Sequence, residues 1–314
     1  MVNEKMIRFC LERIAQLILV VFLVSTFTFL LLRLAPGDPA YILLTKHDVP
    51  ASQEALSALR KELGLTDPLL SQYIQWVKDA FTWQWGTSYV SKEPVVEELL
   101  RRIPATLELA ISGLIVMIFI TFILGVSTAI YSKGWLDLLG RILALSGSSI
   151  PSFWLGFLLI YFFSVQYGWL PSMGRGTLKH LILPAITLGL GMGTIYARVL
   201  RTNMLEMMNQ HFIKAAKARG LSKKRIFVFQ LFKHAFLPIL TMLGTSFAFM
   251  LGGSIIVESI FSWPGLGRYI VEAINMRDYP VIQGYVMFTS FLFVSIHIFV
   301  DLIYVLLDPR LRVL

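Results

Sequence analysis

Residues 14–32 read IAQLILVVFLVSTFTFLLL and contain no aspartate, glutamate, lysine or arginine. The hydrocarbon core of a bilayer is about 30 Å thick, which about 20 helical residues can cross. Lipid offers no partners to backbone polar groups, so a run that crosses it must be helical. Five further runs lack the same four residues, namely 109–132, 142–174, 181–197, 235–257 and 281–300. The pattern predicts an all-α polytopic membrane protein with six transmembrane helices.

The composition of the 314-residue chain agrees with this fold class. Hydrophobic residues make up 56% and charged residues 15%, whereas a soluble domain is about 25% charged. Such a chain is not disordered, and the single Cys10 can form neither an internal disulfide nor a cysteine-based metal site. The net charge of +9 is better explained by membrane topology than by nucleic acid, so no nucleic-acid partner is expected.

Positive charge predicts the orientation, because lysine and arginine mark the cytoplasmic side. Segment 198–234 carries nine basic residues against the single Glu206, which gives a net charge of +8. With six spans, this segment and both termini fall in the cytoplasm. The predicted organisation is a cytoplasmic N-terminus at 1–13, a first transmembrane helix at 14–34, an extracytoplasmic helical segment at 35–102, and a five-helix core at 103–314 that contains the loop 198–234.

The outer segment 35–102 has a periodicity of its own. Leu56, Leu59 and Leu63 fall on one helical face, and Gly64 is a typical stop signal. A second helix is expected to begin near residue 67. Four aromatic residues follow it, namely Phe81, Trp83, Trp85 and Tyr89. They fit either an aromatic belt at the membrane surface or a docking surface for an extracytoplasmic protein.

Sequence motifs for catalysis are missing. The chain contains no His-Glu-x-x-His zinc motif, no Gly-x-Ser-x-Gly nucleophile elbow and no Gly-x-x-x-x-Gly-Lys-Ser/Thr phosphate loop. Gly189, Gly191 and Gly193 lie inside an apolar run, where small residues let helices pack closely. The chain is therefore not expected to be an enzyme, and no cofactor is expected within it.

An ion-coupled secondary transporter is the alternative from a different functional class. His297 lies one helical turn before Asp301, and Glu108 lies at the start of the second span. Charges near the membrane are typical of ion relays, but these also fit interfacial or locally hydrogen-bonded pairs. A secondary transporter would be expected to show an internal repeat, and none is visible in the sequence.

The most informative stretch lies in the loop 198–234 and reads QHFIKAAKARGLSKKR over residues 210–225. Its first half favours a helix that ends at Gly220, and Ser222 can cap a second helix. Ala215 and Ala216 are small enough for another backbone to approach closely. The pattern predicts a helix–glycine–helix element that projects into the cytoplasm. A solvated basic loop would give the same charge pattern.

Ala215-Ala-x-x-x-Gly220, followed by Leu237-Pro238, resembles the Glu-Ala-Ala signature of binding-protein-dependent ABC importer permeases. Lys214 stands where the general signature has glutamate. Further stretches along nearly the whole chain resemble the dipeptide, oligopeptide and nickel branch of that family. They are Asp38-Pro39, 104–109, 151–154, Leu183-Pro184, Arg198, Arg201, 261–267, 277–283 and 308–310.

The resemblance implies a division of labour among several chains. A second, homologous permease would form the pathway with this one, and two cytoplasmic ATPases would bind ATP and magnesium. An extracytoplasmic solute-binding protein would deliver the solute to this complex in the bacterial cytoplasmic membrane. The resemblance also implies a coupling helix that docks in a groove of the ATPase. Its predicted residues are Ala215, Ala216, Gly220, Leu221 and Ser222.

The solute is predicted from the compact connection at 169–180, which resembles that of nickel-import permeases. It predicts nickel, carried as a chelate. Dipeptides, oligopeptides or glutathione are the alternative within the same importer class. Met173 and His180 are conceivable ligands, but isolated methionine and histidine residues more often pack or lie exposed. The sequence assigns no metal site and no solute-binding residue.

Overall fold

The computed structural model describes residues 2–45, 52–252 and 254–307, so the stretch 308–310 lies outside the described residues. Within the described ranges the chain is helical, and its one β-type pairing is an isolated bridge between Thr87 and Pro94. The predicted all-α architecture is confirmed to that extent. The helices are α1 (Val2–Leu34), α2 (Pro39–Thr45), α3 (Gln53–Glu62), α4 (Leu69–Phe81), α5 (Val95–Ile130), α6 (Trp135–Ser149), α7 (Ser152–Leu159), α8 (Leu178–Met208), α9 (His211–Ala218), α10 (Lys223–Arg225), α11 (Lys233–Leu251), α12 (Ile255–Ile260), α13 (Leu266–Asn275) and α14 (Tyr279–Leu307), with π-helical segments at Ile160–Gln166 and Ile226–Phe232.

Four helical stretches are long and apolar enough to cross a membrane, judged by length and composition. These stretches are Leu11–Leu34, Val95–Ile130, Leu178–Met208 and Tyr279–Val300. They contain the predicted first, second, fourth and sixth spans almost completely. The predicted third and fifth spans are both broken, so the structure gives four spans, or five if a bent pair of helices counts as one.

The third predicted span breaks between α6 and α7, where the chain bends by 103°. Ile150 is extended there (φ −78°, ψ 122°), and Pro151 occupies the position before the first residue of α7. Proline supplies no backbone N–H and disfavours the helical conformation in the residue before it. The sequence therefore accounts for this break, which divides a run that is too long for one crossing.

The fifth predicted span, 235–257, is also divided. Helix α11 ends at Leu251 with Gly252 as its C-cap, and α12 begins at Ile255. The apolar part of α11, Pro238–Leu251, is shorter than the four long apolar stretches. An uninterrupted helix over 235–257 is therefore not what the structure contains.

The predicted outer segment 35–102 is helical in three places before α5. Helix α3 confirms the periodicity of its leucines, and the side chain of Ser52 caps it by accepting the N–H of Ala55 at 3.1 Å. Gly64, just beyond its end, has φ +65°. Helix α4 begins at Leu69, with Pro68 in the capping position.

The start of the second span differs from the sequence pattern. That pattern predicts a separate short helix over 94–103, ahead of Pro104. Helix α5 instead runs without interruption from Val95 to Ile130, with Pro104 inside it. Proline removes one N–H from the helical ladder, a loss that long membrane helices tolerate.

The chain divides into two compact units. The first comprises Met1–Ala105 and Pro264–Ser295, and the second comprises Thr106–Trp263 and Ile296–Leu314. In the first unit, the buried carboxylate of Asp278 accepts hydrogen bonds from the hydroxyl of Ser88 at 2.5 Å and from the backbone N–H of Tyr89 at 3.1 Å. This carboxylate therefore fixes the loop after α4 to the turn before α14.

The second unit is organised around α8, which packs against α6, α7 and α11. A Cβ atom added at Gly189 would lie 2.5 Å from the carbonyl oxygen of Gly113, and one at Gly193 would lie 3.0 Å from that of Met117. Both contacts are with α5, so these two glycines permit close helix packing, as predicted. Gly191 differs, because the nearest described atom to its added Cβ, the carbonyl oxygen of Gly147, lies at 4.0 Å.

Candidate functional site

The end of helix α9 is fixed by hydrogen bonds around Gly220. The N–H of Leu221 donates to the carbonyl of Ala216 at 3.3 Å, and the N–H of Gly220 donates to the carbonyl of Lys217 at 3.0 Å. This pair of bonds is the Schellman motif, which places a left-handed residue directly after the helix. Gly220 has φ +75°, so the left-handed backbone expected at this position is observed.

Helix α9 has one buried and one exposed face. Ile213 and Ala216 are 1% and 0% exposed, and both belong to the apolar core of the second unit. The exposed residues of the helix are His211, Lys214, Ala215, Lys217 and Ala218, and its C-cap Arg219 is exposed as well. The two predicted coupling alanines therefore face opposite ways: Ala215 is available to a partner, whereas Ala216 packs inside this chain.

The remaining predicted coupling residues connect α9 to the next membrane segment. Leu221 is half-buried and packs against the core of the second unit. The exposed Ser222 caps α10, because its hydroxyl accepts the N–H of Arg225 at 3.3 Å. The following π-helical segment, Ile226–Phe232, packs against α9 and runs directly into α11. The packed connection from α9 to α11 is therefore continuous.

The sequence did not single out the ion pair that links α6 to α8. Arg201 donates through Nε to Oδ1 of Asp137 at 2.9 Å and through Nη2 to Oδ2 at 3.0 Å. The backbone N–H of Lys133 donates to the same carboxylate at 3.2 Å. Asp137 is only 2% exposed. A bidentate pair of this kind fixes both position and angle, so it holds the helix that leads into α9.

The other charged or metal-binding candidates have local roles. Glu108 pairs with Arg175 at 2.7 Å, and both side chains are partly exposed. Nδ1 of His180 accepts the backbone N–H of Thr177 at 3.2 Å and so caps the start of α8. The sulfur of the exposed Met173 accepts a weak hydrogen bond from the hydroxyl of Ser262 at 3.7 Å. Asp301, the predicted partner of His297, is a residue whose side chain the structure does not describe.

A cavity of about 470 Å³ opens in the second unit. The ends of α6 and α7 line it at their 103° bend, and so do α8, the end of α11 and the start of α12. Hydroxyl groups and apolar side chains make up the lining, and no charged residue is among them in the described part of the chain. No motif in the sequence pointed to this cavity.

Long apolar helices and a short cationic surface helix define this chain as a helical integral membrane protein. Residues 121–313 match the family described as binding-protein-dependent transport system inner membrane component. Residues 6–110 match the N-terminal part described for the same kind of component. The chain belongs to this family.

Curated relatives are similar along nearly the whole chain. The glutathione transport system permease protein GsiC of Salmonella typhimurium strain LT2 is 37% identical over 98% of this chain and 99% of the relative. The protein of the same name from Escherichia coli strain K12 is 36% identical over the same shares. The chain is therefore a permease subunit of an ABC importer and not an enzyme in its own right.

Solved structures show the same fold at low sequence identity. An inward-facing structure of the MetNI methionine ABC transporter is 19% identical, with a TM-score of 0.55 over 68% of this chain and 97% of that one. An amino acid ABC transporter crystallised with histidines is 17% identical, with a TM-score of 0.51 over 68% and 94%. The importer-permease fold expected from the resemblance is supported by these neighbours.

Proposed function

We propose that this permease imports short peptides of the glutathione type. In the complete transporter it would form the pathway with a second, homologous permease. Two cytoplasmic ATPases carrying ATP and magnesium would drive transport, and an extracytoplasmic binding protein would deliver the solute. The chain would cross the bacterial cytoplasmic membrane six times, with both termini in the cytoplasm.

The observation that carries the solute assignment is the near full-length similarity to permeases named for glutathione transport. It favours the peptide alternative over nickel. The nickel hypothesis rested on the connection 169–180, where His180 is engaged in capping a helix. A peptide solute also needs no metal ligand from this chain.

The exposed face of α9 supports its role as the coupling helix. Lys214, Lys217 and Arg219 surround Ala215, so a docking partner would meet positive charge with a small residue between the cations. A complementary groove would be acidic. Because α9 packs against Ile226–Phe232, movement of the ATPases would reach α11.

Six crossings are supported by adding the broken spans to the long helices. The four long helices, the bent pair and the shorter apolar segment Pro238–Leu251 would together supply six crossings. The net charge of +8 over 198–234 favours a cytoplasmic position for α9. This orientation is the one that an ATPase-docking helix requires.

Uptake by the complete transporter tests the proposal. The two permeases, the ATPases and the binding protein from the same source would be reconstituted in liposomes with ATP on the ATPase side. Radiolabelled glutathione, a dipeptide and nickel would be offered in parallel. We expect ATP-dependent accumulation of glutathione or the dipeptide. Accumulation of nickel alone would contradict the peptide assignment, and accumulation without ATP would favour a secondary transporter.

A further inference from the structure

We propose that the 470 Å³ cavity of the second unit is a solute subsite of the transport pathway, which takes the uncharged amide and apolar parts of a peptide. This inference rests on the proposed peptide-import function, since it names where this subunit would contact the solute. The volume falls within the range of about 300–1,000 Å³ that is usual for small-molecule sites.

Broken helices surround the cavity. Ile150 and Ser152 line it on the two sides of the 103° bend between α6 and α7. Met250 and Ser254 line it on the two sides of the interruption between α11 and α12. Irregular backbone at membrane depth is tolerated only inside protein or beside a polar cavity, and transport sites are typically built from such discontinuous helices.

The buried hydroxyl groups of the lining differ in their hydrogen bonding. Thr187 donates to the carbonyl of Leu183 at 2.8 Å, and Ser246 is paired with Tyr196 at 2.6 Å. The buried hydroxyl of Ser254, by contrast, has no hydrogen-bond partner among the residues that the structure describes. A buried hydroxyl without a partner costs free energy, which a solute amide or carbonyl group would recover.

The described lining is uncharged, and this limits the kind of ligand that it can bind. The described lining contains serine, threonine, glycine and apolar residues only. A carboxylate or ammonium group would lose its hydration here without gaining an ionic partner, which is costly. Peptide amides and apolar side chains avoid that cost. The termini of the solute are therefore assigned to other surfaces of the pathway.

Gly191 offers a way to block the cavity without damaging the fold. It lines the cavity, and an added Cβ would have its nearest described neighbour at 4.0 Å. Gly191→Cys in a Cys10→Ser background would introduce a single thiol. A neutral, bulky methanethiosulfonate reagent would then fill the cavity. Ile115→Cys is the matched control, since Ile115 is 61% exposed on α5 and does not line the cavity.

The reconstituted transporter would be assayed for uptake of glutathione and a dipeptide before and after labelling. We expect labelled Gly191→Cys to lose uptake to the level of protein-free liposomes, while labelled Ile115→Cys keeps the uptake of the unlabelled protein. Binding-protein-dependent ATP hydrolysis by unlabelled Gly191→Cys would show that the complex is intact.

Two results would overturn the cavity assignment alone: full uptake after complete labelling of Gly191→Cys, or a thiol that stays unreactive in the complete transporter. The second would mean that protein, and not solute, occupies the cavity. If the unlabelled Cys10→Ser transporter imported neither peptide, the proposed function itself would fail, and the peptide subsite with it.

Discussion

Helices α4 and α9 are both short surface helices, but they expose opposite chemistry. None of the thirteen residues of α4, all of them described, is buried, and Leu70, Ile74 and Phe81 are exposed apolar side chains. Helix α9 buries two apolar residues and exposes Lys214 and Lys217 beside small residues, with the exposed Arg219 at its C-cap. The first surface is suited to lipid, and the second to an acidic protein groove.

Helix α4 packs against α1 through aromatic side chains. Phe29 on the apolar helix α1 packs against Tyr73 and Trp76 with ring centroids 5.3 and 5.6 Å apart. Tyrosine and tryptophan prefer the boundary between lipid and water. These contacts fix α4 against α1, and the choice between an aromatic belt and a docking surface for Phe81, Trp83, Trp85 and Tyr89 stays a prediction.

The largest expected effect separates the two faces of α9. Ala216→Arg would force a cation into a fully buried position, where neither space nor a partner is available. We expect almost no folded protein in the membrane fraction. The matched variant Ala215→Arg places the same side chain on the exposed face and should reach the membrane at the normal level. Equal membrane levels of both variants, measured by immunoblotting, would refute the orientation of the helix.

The next largest effect is expected at the ion pair between Asp137 and Arg201, which links α6 to α8. Arg201→Ala would remove the bidentate partner of the buried Asp137 carboxylate, and breaking a buried pair typically costs about 3–5 kcal/mol. Arg141 at 3.7 Å and the backbone N–H of Lys133 would offset part of that loss. We expect Arg201→Ala to lower the unfolding temperature in detergent. The double variant Asp137→Asn with Arg201→Gln replaces the ion pair with a neutral pair, and it should lose less of the unfolding temperature. Arg198→Ala is the control, because Arg198 is exposed. An equal loss of unfolding temperature in Arg201→Ala and Arg198→Ala would argue against a stabilising role of the ion pair.

A smaller effect is expected at Gly220. Nothing described lies within 4 Å of an added Cβ, so a side chain there meets no steric clash with its neighbours. Valine would still be strained at φ +75°, at a cost of about 1–3 kcal/mol. Asparagine adopts this conformation more readily. We expect Gly220→Val to lower the unfolding temperature more than Gly220→Asn, and the same temperature for both would contradict the left-handed turn.

The smallest effect is expected on the exposed face of α4. Phe81→Ala should change the free energy of unfolding by no more than about 0.5 kcal/mol, because the ring is exposed. Phe29→Ala, in contrast, removes a ring that is 1% exposed, and it should cost clearly more. Reduced binding of the extracytoplasmic protein to the Phe81→Ala transporter would instead show that α4 is a docking surface.

Local signals predicted a good part of this structure. Charge-free runs predicted the long helices, Pro151 accounts for the bend, and Gly220 predicted the end of α9. The orientation of α9 also had a signal, because Ile213 lies three residues before Ala216 and thus on the same helical face. That spacing marks Ala216 as the inward-facing alanine.

Other features could not be predicted from one sequence. Asp137 and Arg201 are 64 residues apart, and only the packing of α6 on α8 brings them together. The cavity likewise depends on five helix segments that meet around two helix interruptions, one between α6 and α7 and one between α11 and α12. Hydropathy identifies the cavity residues only as members of apolar runs, because it carries no information on which helices become neighbours.

Uptake by the Ala215→Arg transporter is the most direct test of coupling through α9. The assay would measure ATP-driven accumulation of glutathione and the amount of ATPase that co-purifies with the permease. Added bulk on the docking face should weaken ATPase binding and reduce uptake sharply, although the permease reaches the membrane at its normal level. Normal uptake with a normal amount of bound ATPase would contradict the account, since α9 would then be a solvated basic helix.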